Sequence, residues 1–503
     1  MAQFLPEALY SAGQSRQLDR LAMDEHGLGG GVLMERAGEA AYALMRHQWP
    51  RSNRIAVVCG PGNNGGDGYV LARLALGDGL EVRLLALGDP SKQGEDAVAA
   101  RISFEAAGGV ISPFAAGLLS GCDVIVDAIF GTGLERQITG EWAEAIDAIN
   151  RSGVPVLALD IPSGLHADTG VALGMAVRAK ITISFIALKA GMLTADGPDY
   201  CGKLKFNPLA VPDELYRKVD SYAERITPGN LAPLFPRRPH NTHKGKNGRV
   251  LVIGGGPGMP GAARMAGEAA LYTGAGLVTV ATHPDHVMAV NASRPELIVH
   301  GIGSTSELVK LVGQADTVAI GPGLGRSLWA RELLAVVLES SVVKVVDADA
   351  LNLIAVEPCK DERWILTPHP GEAATLLGQS VQDIQQNRFA CVSDMVTRFG
   401  GVCVLKGAGT IVGSTDKRFV CDRGNPALAT AGTGDLLTGA IASFVAQGLD
   451  TIDAARVGVW VHAIAADLVA RNGERGWLAS DFLPTMRDAV HVLETENDDS
   501  REV

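Results

Sequence analysis

The sequence predicts an α/β protein built from two consecutive domains. Its 503 residues exceed the size of one ordinary domain. Strand-like runs of Val, Ile and Leu alternate with helical patterns on both sides of a proline-rich segment at 223–250. Such continuous apolar runs are typical of parallel strands that are buried on both faces. We place the boundary inside the proline-rich segment and predict domains at 1–225 and 226–503.

Each predicted domain has its own series of strands. In the first, an amphipathic helical pattern, GQSRQLDRLAMDEHG, precedes five strand-like runs: RIAVVCG, VRLLALG, CDVIVDAIF, VPVLALDI and ITISFIA. In the second we predict six strands, at RVLVIGG, GLVTVAT, DTVAIGPG, VVKVVDADA, WILTPH and GVCVLKG. The sequence shows no fixed-period repeat, and the polar tail from Glu494 is expected to fray.

Composition and charge exclude several classes of partner. The net charge is -12 and both predicted domains are acidic, so neither offers a broad surface for nucleic acid. The first thirty residues lack the apolar segment of a secretory signal, and no membrane-spanning run occurs. The seven cysteines form no C-x-x-C pair, which favours buried thiols in a reducing compartment. We therefore expect a cytoplasmic protein without membrane contact.

The first glycine-rich motif, GPGNNGGDG, fits the dinucleotide pattern G-x-G-x-x-G through Gly60, Gly62 and Gly65. An ordinary redox nicotinamide cofactor is one interpretation, with Asp89 at a suitable distance for a ribose contact. Asp67 at the predicted helix start argues against it, because a carboxylate there would repel a pyrophosphate. A plain Asn/Gly turn capped by Asp67 is the structural alternative.

Two further polar loops follow strands of the same predicted sheet. VDAIFGTGLERQITG places Asp127 at the end of a strand, and ALDIPSG places Asp160 and Ser163 after the next. The carboxyl ends of parallel strands meet at one edge, where ligands bind. Asn64, Asp127 and Ser163 offer carbonyl, carboxylate and hydroxyl oxygens, which suit a hard cation.

The motifs NNGGDG, VDAIFGTG and LDIPSG, in this order, resemble the NAD(P)HX epimerase family over about residues 10–220. NAD(P)HX is NAD(P)H with water added at C6 of the nicotinamide ring. The resemblance implies a Rossmann-like α/β/α sandwich, and potassium held by Asn64, Asp127 and Ser163. Asp160 is the predicted catalytic residue, although the epimerase acid and base stay open. The implied substrate contacts are Asn63, Asn64, Gly65, Gly66, Asp67, Gly131, Thr132, Gly133, Leu134, Glu135, Arg136, Gln137 and Asp160.

The second domain contains another glycine-rich turn before a helix, in ATAGTGDLLTG. Backbone N–H groups of such a turn can bind an anion, and Asp435 could take a proton during phosphoryl transfer. A turn in which Asp435 merely caps the helix is the alternative. No G-x-x-x-x-G-K-[ST] motif occurs, which excludes a P-loop enzyme.

Four more loops follow predicted strands in this domain. VLKGAGT carries Lys406 and LTPHPGE carries His369. The glycines of IGPGLG would let a ligand approach the backbone closely. VDADALN places Asp347 and Asp349 either near a cation or, for Asp349, at a helix cap.

Together with NGRVLVIGG and AGTGD, these loops resemble the ADP-dependent NAD(P)HX dehydratase family, whose domain is ribokinase-like, over about residues 240–490. The resemblance implies ADP with Mg²⁺ as co-substrate. The implied nucleotide contacts are Lys406, Gly407, Ala408, Gly409, Thr410 and Gly434. The implied contacts with the hydrated substrate are Ala263, Gly323, His369 and Asp435, where Ala263 could be misaligned by one residue and Asp435 is also the catalytic base.

These resemblances predict a bifunctional repair enzyme that interconverts the R and S epimers of NAD(P)HX and dehydrates the S epimer. ADP would phosphorylate the C6 hydroxyl, and the ring nitrogen would then expel phosphate, leaving AMP. Two alternatives stay open: a ribokinase-class small-molecule kinase, and a first half that only binds ligands. We expect small-molecule substrates and a homo-oligomer, whose number of subunits the sequence does not give.

Overall fold

The computed structural model describes residues 5–235, 238–292 and 294–499. The chain divides into two compact units: unit 1 ends at Glu224 and unit 2 begins at Arg225. No helix in the described ranges is long and apolar enough to cross a membrane.

Unit 1 is built on a sheet of seven parallel strands. The strands of this sheet are β2 (Arg54–Cys59), β3 (Glu81–Ala86), β4 (Ile111–Pro113), β5 (Val124–Ala128), β6 (Val156–Leu159), β7 (Ile181–Phe185) and β8 (Lys203–Asn207). Two short strands lie outside it, β1 (Ala8–Leu9) and β9 (Ala223–Arg225). The sheet order is β4-β3-β2-β5-β6-β7-β8, and every neighbouring pair is parallel. The short strands β1 and β9 pair separately and antiparallel.

Helices cover both faces of this sheet. They are α1 (Ala12–His26), α2 (Gly30–Gln48), α3 (Asn63–Gly77), α4 (Glu95–Ala106), α5 (Glu141–Arg151), α6 (Gly197–Cys201) and α7 (Asp213–Tyr216). Alternate residues of β2 point to opposite faces. Ile55 and Val57 join one apolar cluster, whereas Ala56 and Val58 join the other. Unit 1 is therefore a three-layer α/β/α sandwich, as predicted.

Unit 2 has a larger, mostly parallel sheet. Its strands are β10 (Arg249–Ile253), β11 (Leu277–Thr282), β12 (Ile298–Gly301), β13 (Thr317–Ile320), β14 (Val343–Val346), β15 (Trp364–Leu366), β16 (Val402–Leu405), β17 (Thr410–Gly413) and β18 (Arg418–Cys421). The order is β18-β17-β16-β15-β14-β13-β10-β11-β12. Pairing is parallel from β12 to β16 and antiparallel for β16-β17-β18.

The helices of unit 2 are α8 (Pro228–Leu231), α9 (Pro260–Tyr272), α10 (Val287–Asn291), α11 (Thr305–Val312), α12 (Leu328–Glu339), α13 (Ala348–Val356), α14 (Pro370–Leu377), α15 (Val381–Gln386), α16 (Arg388–Phe399), α17 (Thr433–Ala446), α18 (Thr451–Val469) and α19 (Phe482–Asp499). Residues of α9, α17, α18 and α19 share one core cluster with the sheet. The α/β class is thus confirmed in both units.

The prediction for the C-terminal tail is wrong within the described residues. The tail is helical beyond Glu494, because α19 continues to Asp499. Apolar residues earlier in this helix, Leu483, Met486 and Leu493 among them, join the core and anchor it. A polar end can therefore extend as a helix from a well-packed start.

Two candidate active sites

The candidate site of unit 1 lies at the edge of the sheet where its parallel strands end. Loops after β2, β5 and β6 line a cavity of about 770 Å³. This edge is where α/β proteins bind ligands. Ten of the residues predicted to contact substrate line the cavity: Asn63, Asn64, Asp67, Gly131, Thr132, Gly133, Leu134, Glu135, Arg136 and Asp160.

Gly65, Gly66 and Gln137 are not among the described residues that line this cavity. A side chain on Gly65 would clash with the carbonyl oxygen of Gly60, and one on Gly66 would clash with Met34. The structure thus gives these glycines a packing role in α3, and their contact with substrate stays a prediction.

The NNGGDG motif is helical from its first residue, which corrects the predicted helix start. Helix α3 begins at Asn63 after Gly62, so Asp67 lies in the second turn and does not cap the helix. Asp67 instead lines the cavity. Asp89 accepts a hydrogen bond from the Ser91 amide (2.9 Å) outside the cavity lining, which removes the support for a redox-type ribose contact.

Asp160 forms an ion pair with a lysine that the sequence interpretation missed. The buried Lys189 ammonium contacts Asp160 Oδ1 and donates to Ser184 Oγ (3.1 Å) and Phe185 O (3.2 Å). Asp160 has a φ of 65°, a left-handed conformation that is costly for a residue with a Cβ. The backbone therefore presents this carboxylate to Lys189 and to the cavity at a conformational cost, as is common at functional sites.

Two further carboxyl groups face the same cavity. Burial raises the pKa of Asp67 well above its usual value, and the neighbouring charges of Asp160 and Asp19 add to this. Burial also raises the pKa of Asp19, to about 6. Lys189 opposes both shifts. A buried carboxyl with a raised pKa can hold a proton at neutral pH, so the cavity combines a candidate acid with a candidate base.

Asp127 and Ser163 form a buried hydrogen-bonded pair behind the cavity. Asp127 Oδ1 accepts from Ser163 Oγ (2.6 Å) and Oδ2 accepts from Ser163 N (2.8 Å). Burial raises the pKa of Asp127 to about 6, and no ion pair among the described residues includes this side chain. The buried side-chain amide of Asn64 has no hydrogen-bond partner in the same part of the chain. A buried carboxylate without a cationic partner and a buried amide oxygen without a hydrogen bond are both unusual inside a protein.

The candidate site of unit 2 lies at the start of α17. Helix α17 begins at Thr433, and Gly432 precedes it with a φ of 93°. Asp435 is the third residue of the helix and is not its N-cap, which removes the predicted structural alternative. Lys406 lies in the tight hairpin loop that joins the antiparallel strands β16 and β17.

Asp347 connects these two segments. Its Oδ1 pairs with Lys406 Nζ (2.8 Å), and its Oδ2 accepts from Thr438 Oγ1 on α17 (2.7 Å). Lys406 Nζ also lies 3.9 Å from Glu372 Oε2. Asp347 is the N-cap residue of α13, but its side chain makes no capping hydrogen bond, since both carboxylate oxygens face this network. The Lys406 ammonium is thereby held beside the first turn of α17.

Asp435 has the electrostatic setting of a general base. Its pKa is raised to about 7, first by burial and then by the charge of Asp347, while Lys406 lowers it. A carboxylate with a pKa near neutrality combines useful basicity with a large ionised fraction. The network thus tunes Asp435 toward proton abstraction.

His369 has a structural role that the sequence left open. It is the N-cap of α14, and its Nδ1 accepts from the amides of Gly371 (3.0 Å) and Glu372 (3.3 Å). Its side chain is 56% exposed, so the other face of the ring is accessible to a ligand. Asp349 accepts from the Gly325 amide (2.9 Å), which ties the IGPGLG loop to α13.

Gly323 and Ala263 are both buried in this unit. A Cβ on Gly323 would lie 2.7 Å from the carbonyl oxygen of Met259, so only glycine fits there. Ala263 has no exposed surface, whereas its neighbour Ala262 is partly exposed. Contact between Ala263 and substrate stays a prediction, and the exposure favours the neighbouring position.

The comparisons with known proteins agree with these two sites. A family model described as YjeF-related protein N-terminus matches residues 30–191, and one described as NAD(P)H-hydrate dehydratase matches residues 250–487. A bifunctional NAD(P)H-hydrate repair enzyme of Coxiella burnetii is 46% identical over 485 residues, covering 96% of this chain and 99% of that relative. The enzyme of the same name from Escherichia coli is 43% identical and covers 99% of this chain and 97% of that relative.

The chain belongs to the family of bifunctional NAD(P)H-hydrate repair enzymes. The resemblance predicted from the motifs is confirmed for both halves, and the ribokinase-class kinase alternative is not favoured. Among solved structures, the hypothetical protein SMU.573 from Streptococcus mutans is similar with a TM-score of 0.51 and 31% identity. It matches 54% of this chain and 99% of its own length.

Proposed function

We propose that this chain repairs hydrated NAD(P)H in two steps. Residues 1–225 would interconvert the C6 epimers, and residues 226–503, a ribokinase-like domain, would dehydrate the S epimer with ADP. The observation that carries the proposal is that each unit has, at its own candidate site, a carboxyl group with a raised pKa beside a lysine. Asp67 lies beside the Asp160–Lys189 pair, and Asp435 lies beside Lys406.

Epimerisation needs an acid that protonates the leaving C6 hydroxyl and a base that accepts a proton from the incoming water. Asp67, whose pKa burial raises, would be the acid that donates a proton to the C6 hydroxyl as the N1 lone pair expels water. This leaves a planar, positively charged C6=N1 bond. Water then adds to the opposite face, and a proton leaves to Asp160, whose carboxylate Lys189 holds in place. The sum of the two steps is inversion at C6 with no net gain or loss of atoms in the substrate. A proton that passes from Asp160 back to Asp67 through solvent returns both carboxyl groups to their starting states.

Potassium fits the residues behind this cavity. Asn64, Asp127 and Ser163 would hold it, since they supply an unpartnered amide oxygen, a buried carboxylate and a hydroxyl. When bound, the ion would supply the positive charge that offsets Asp127. The start of α3, which carries Asn64, and the loop that carries Ser163 would then keep a fixed spacing at the cavity.

Potassium is expected to raise the melting temperature of unit 1, and Asp127→Asn is expected to abolish that rise. The variant keeps the side-chain shape but removes the charge that would attract the ion. Differential scanning calorimetry in KCl and in an equal concentration of choline chloride measures the effect. Asp123→Asn, at the opposite end of β5, is the control and should keep the response. An equal potassium response in Asp127→Asn and the wild-type chain would contradict the site.

The dehydratase reaction begins with transfer of the β-phosphoryl group of ADP to the C6 hydroxyl. Asp435 would accept the hydroxyl proton as the new O–P bond forms and AMP leaves. The N1 lone pair then expels phosphate, and loss of a proton from C5 restores the C5=C6 bond of NAD(P)H. Phosphate is a better leaving group than hydroxide, which is the chemical reason for consuming ADP.

Two of the predicted nucleotide contacts, Lys406 and Gly434, lie near this carboxylate. Lys406 Nζ would lie 3.4 Å from a Cβ placed on Gly434, so the ammonium and the start of α17 face the same space. We propose that Lys406, Gly407, Ala408, Gly409, Thr410 and Gly434 bind ADP. No group of three His, Cys, Asp or Glu residues suited to a metal occurs in the described ranges. Mg²⁺ would accordingly be bound mainly by the phosphates of ADP.

Gly434→Ala is expected to weaken ADP binding without destabilising the fold. Alanine is compatible with a helical position, where it gains about 1 kcal/mol over glycine, but its methyl group would occupy space against Lys406. Gly432→Ala is the matched contrast. With a φ of 93° and Met265 Cε at 2.6 Å from its Cβ, it should lower the melting temperature. Titration calorimetry with ADP measures the first effect and thermal melting measures the second. Unchanged ADP affinity in Gly434→Ala would contradict the proposed ADP site at Gly434 and Lys406.

The direct test against a kinase is the fate of the phosphoryl group. With NADHX and ADP, we expect AMP, free phosphate and NADH in equal amounts, measured by phosphorus NMR and absorbance at about 340 nm. A kinase acting on a stable alcohol would leave phosphate on its product instead. A persistent phosphorylated nicotinamide would therefore overturn the dehydratase assignment.

We further propose the cytoplasm as the compartment, since all seven cysteines are free thiols and six are buried.

The formation of a homo-oligomer stays a prediction, and light scattering would measure the number of subunits. Potassium, ADP and the hydrated nucleotides are the proposed small-molecule ligands.

A further inference from the structure

Arg388 is a buried arginine directly behind the proposed nucleotide loop. It is the first residue of α16 and only 1% exposed. Its Nη2 donates to the carbonyl oxygens of Leu405 (3.1 Å) and Lys406 (3.2 Å), and its Nη1 donates to Gln385 Oε1 (2.8 Å). A Cβ on Gly407 would lie 3.0 Å from Nη1. The guanidinium thus packs against the loop at the point where β16 ends.

The location is unfavourable for a positive charge. Burial lowers the pKa of Arg388 to about 10, which reflects the cost of removing the guanidinium from water. The residue also stands at the amino end of a helix, where the helix dipole disfavours cations. Two of the oxygens that accept from Arg388 belong to the backbone of the proposed nucleotide loop, so part of this cost is offset by contacts that fix the loop.

The hydrogen bonds to the loop have a directional consequence. In a trans peptide, the C=O and the following N–H point in opposite directions. Arg388 binds the carbonyl oxygen of Lys406, so the N–H of Gly407 in the same peptide points away from Arg388. Gly407 is exposed, and its φ of 132° is open to glycine and strained for other residues. The Leu405 carbonyl is fixed in the same way, and the Lys406 amide then donates to Pro368 O (3.0 Å).

We infer that Arg388 is a positioning residue that aims the Gly407 amide at a phosphate of the bound adenine nucleotide. The inference rests on the proposed function, because it assumes that the loop at 406–409 binds ADP. Arg388 would not touch the nucleotide. It would act through the orientation of one peptide group and through a positive charge behind it, both of which favour an anion on the exposed side of the loop.

The test compares ADP binding and kinetics in Arg388→Met, Arg388→Lys and the wild-type chain. Arg388→Met removes the donors and the charge, and is expected to raise both Kd and KM for ADP by about 10- to 100-fold. Arg388→Lys keeps the positive charge and can still donate a hydrogen bond to the loop, so the Kd and KM for ADP should rise less than in Arg388→Met. The KM for S-NADHX and kcat should stay close to wild type, since Asp435 and Lys406 remain in place.

Gln385→Ala is the matched control. It removes one hydrogen-bond partner of Arg388 at an exposed position and leaves the contacts with the loop, so ADP affinity should be unchanged. Thermal melting checks that each variant is folded, and Arg388→Lys carries the test if the methionine variant unfolds. Unchanged ADP affinity in a folded Arg388 variant, or equal losses in kcat and in both KM values, would overturn the inference. If the wild-type chain itself fails to bind ADP, the proposed function fails first.

Discussion

Replacing Asp435 by Asn is expected to lower the rate of ADP-dependent dehydration by about 10²- to 10⁴-fold. The amide keeps the shape of the carboxylate but cannot accept the proton of the C6 hydroxyl during phosphoryl transfer. Because the pKa of Asp435 is raised to about 7, the wild-type rate should also fall as the pH drops through about 7. Below that value the base is protonated and cannot act. Single-turnover assays with S-NADHX across pH measure both effects.

The controls for this prediction lie in the same chain. Epimerisation by Asp435→Asn should be unchanged, because its chemistry is assigned to the other unit. Asp416→Asn, at an exposed turn between β17 and β18, should dehydrate at the wild-type rate. Near-normal dehydration by Asp435→Asn would remove this residue from the role of base.

Asp160→Asn is expected to slow epimerisation by about 10²- to 10⁴-fold while dehydration of pure S-NADHX continues at the wild-type rate. The variant leaves Lys189 bound to Ser184 and Phe185 but without its carboxylate. Wild-type epimerisation should also decline at high pH, where the Asp67 carboxyl loses the proton that it donates to the hydroxyl. Chromatographic separation of the two epimers over time measures the rates.

Asp199→Asn, at an exposed position of α6, is the control for charge removal in unit 1. Thermal melting distinguishes a loss of chemistry from a loss of fold, since Asp160 is part of a buried ion pair. An Asp160→Asn chain that is folded and still epimerises at the normal rate would exclude Asp160 as the base. Asp19 would then be the next carboxyl to replace.

The strand pattern could be predicted because it is local. All eleven predicted strands are present, since long runs of Val, Ile and Leu need no distant information. The predictions missed seven shorter strands of two to five residues, several of which contain glycine, proline, histidine or charged residues: β1, β4, β8, β9, β12, β17 and β18. The start of α3 was misplaced because NNGGDG resembles a turn. Packing against Gly60, Met34 and Ala128 requires small residues there and overrides the low helix propensity of glycine.

The site residues also divide into those that a local motif predicts and those that depend on contacts between distant parts of the sequence. Residues in glycine-rich motifs, such as Asn64 and Asp435, could be predicted because the motifs are contiguous. Lys189, Asp19 and Arg388 could not, because each acts on a group that is distant in sequence. Lys189 lies shortly after the end of the buried strand β7, at Phe185, and this proximity was the local signal available for it. The pairing of Asp347 with Lys406 spans 59 positions and depends on the order of the strands in the sheet.

The central claim is that one chain carries both reactions, and the fate of each epimer tests it most directly. A mixture of R- and S-NADHX is incubated with the full chain, with and without ADP, and both epimers are followed by chromatography. With ADP, we predict that both epimers disappear completely and that NADH rises by their sum. Without ADP, a sample enriched in either epimer should relax to the same mixture at constant total NADHX. Accumulation of the R epimer after the S epimer is consumed would contradict the account.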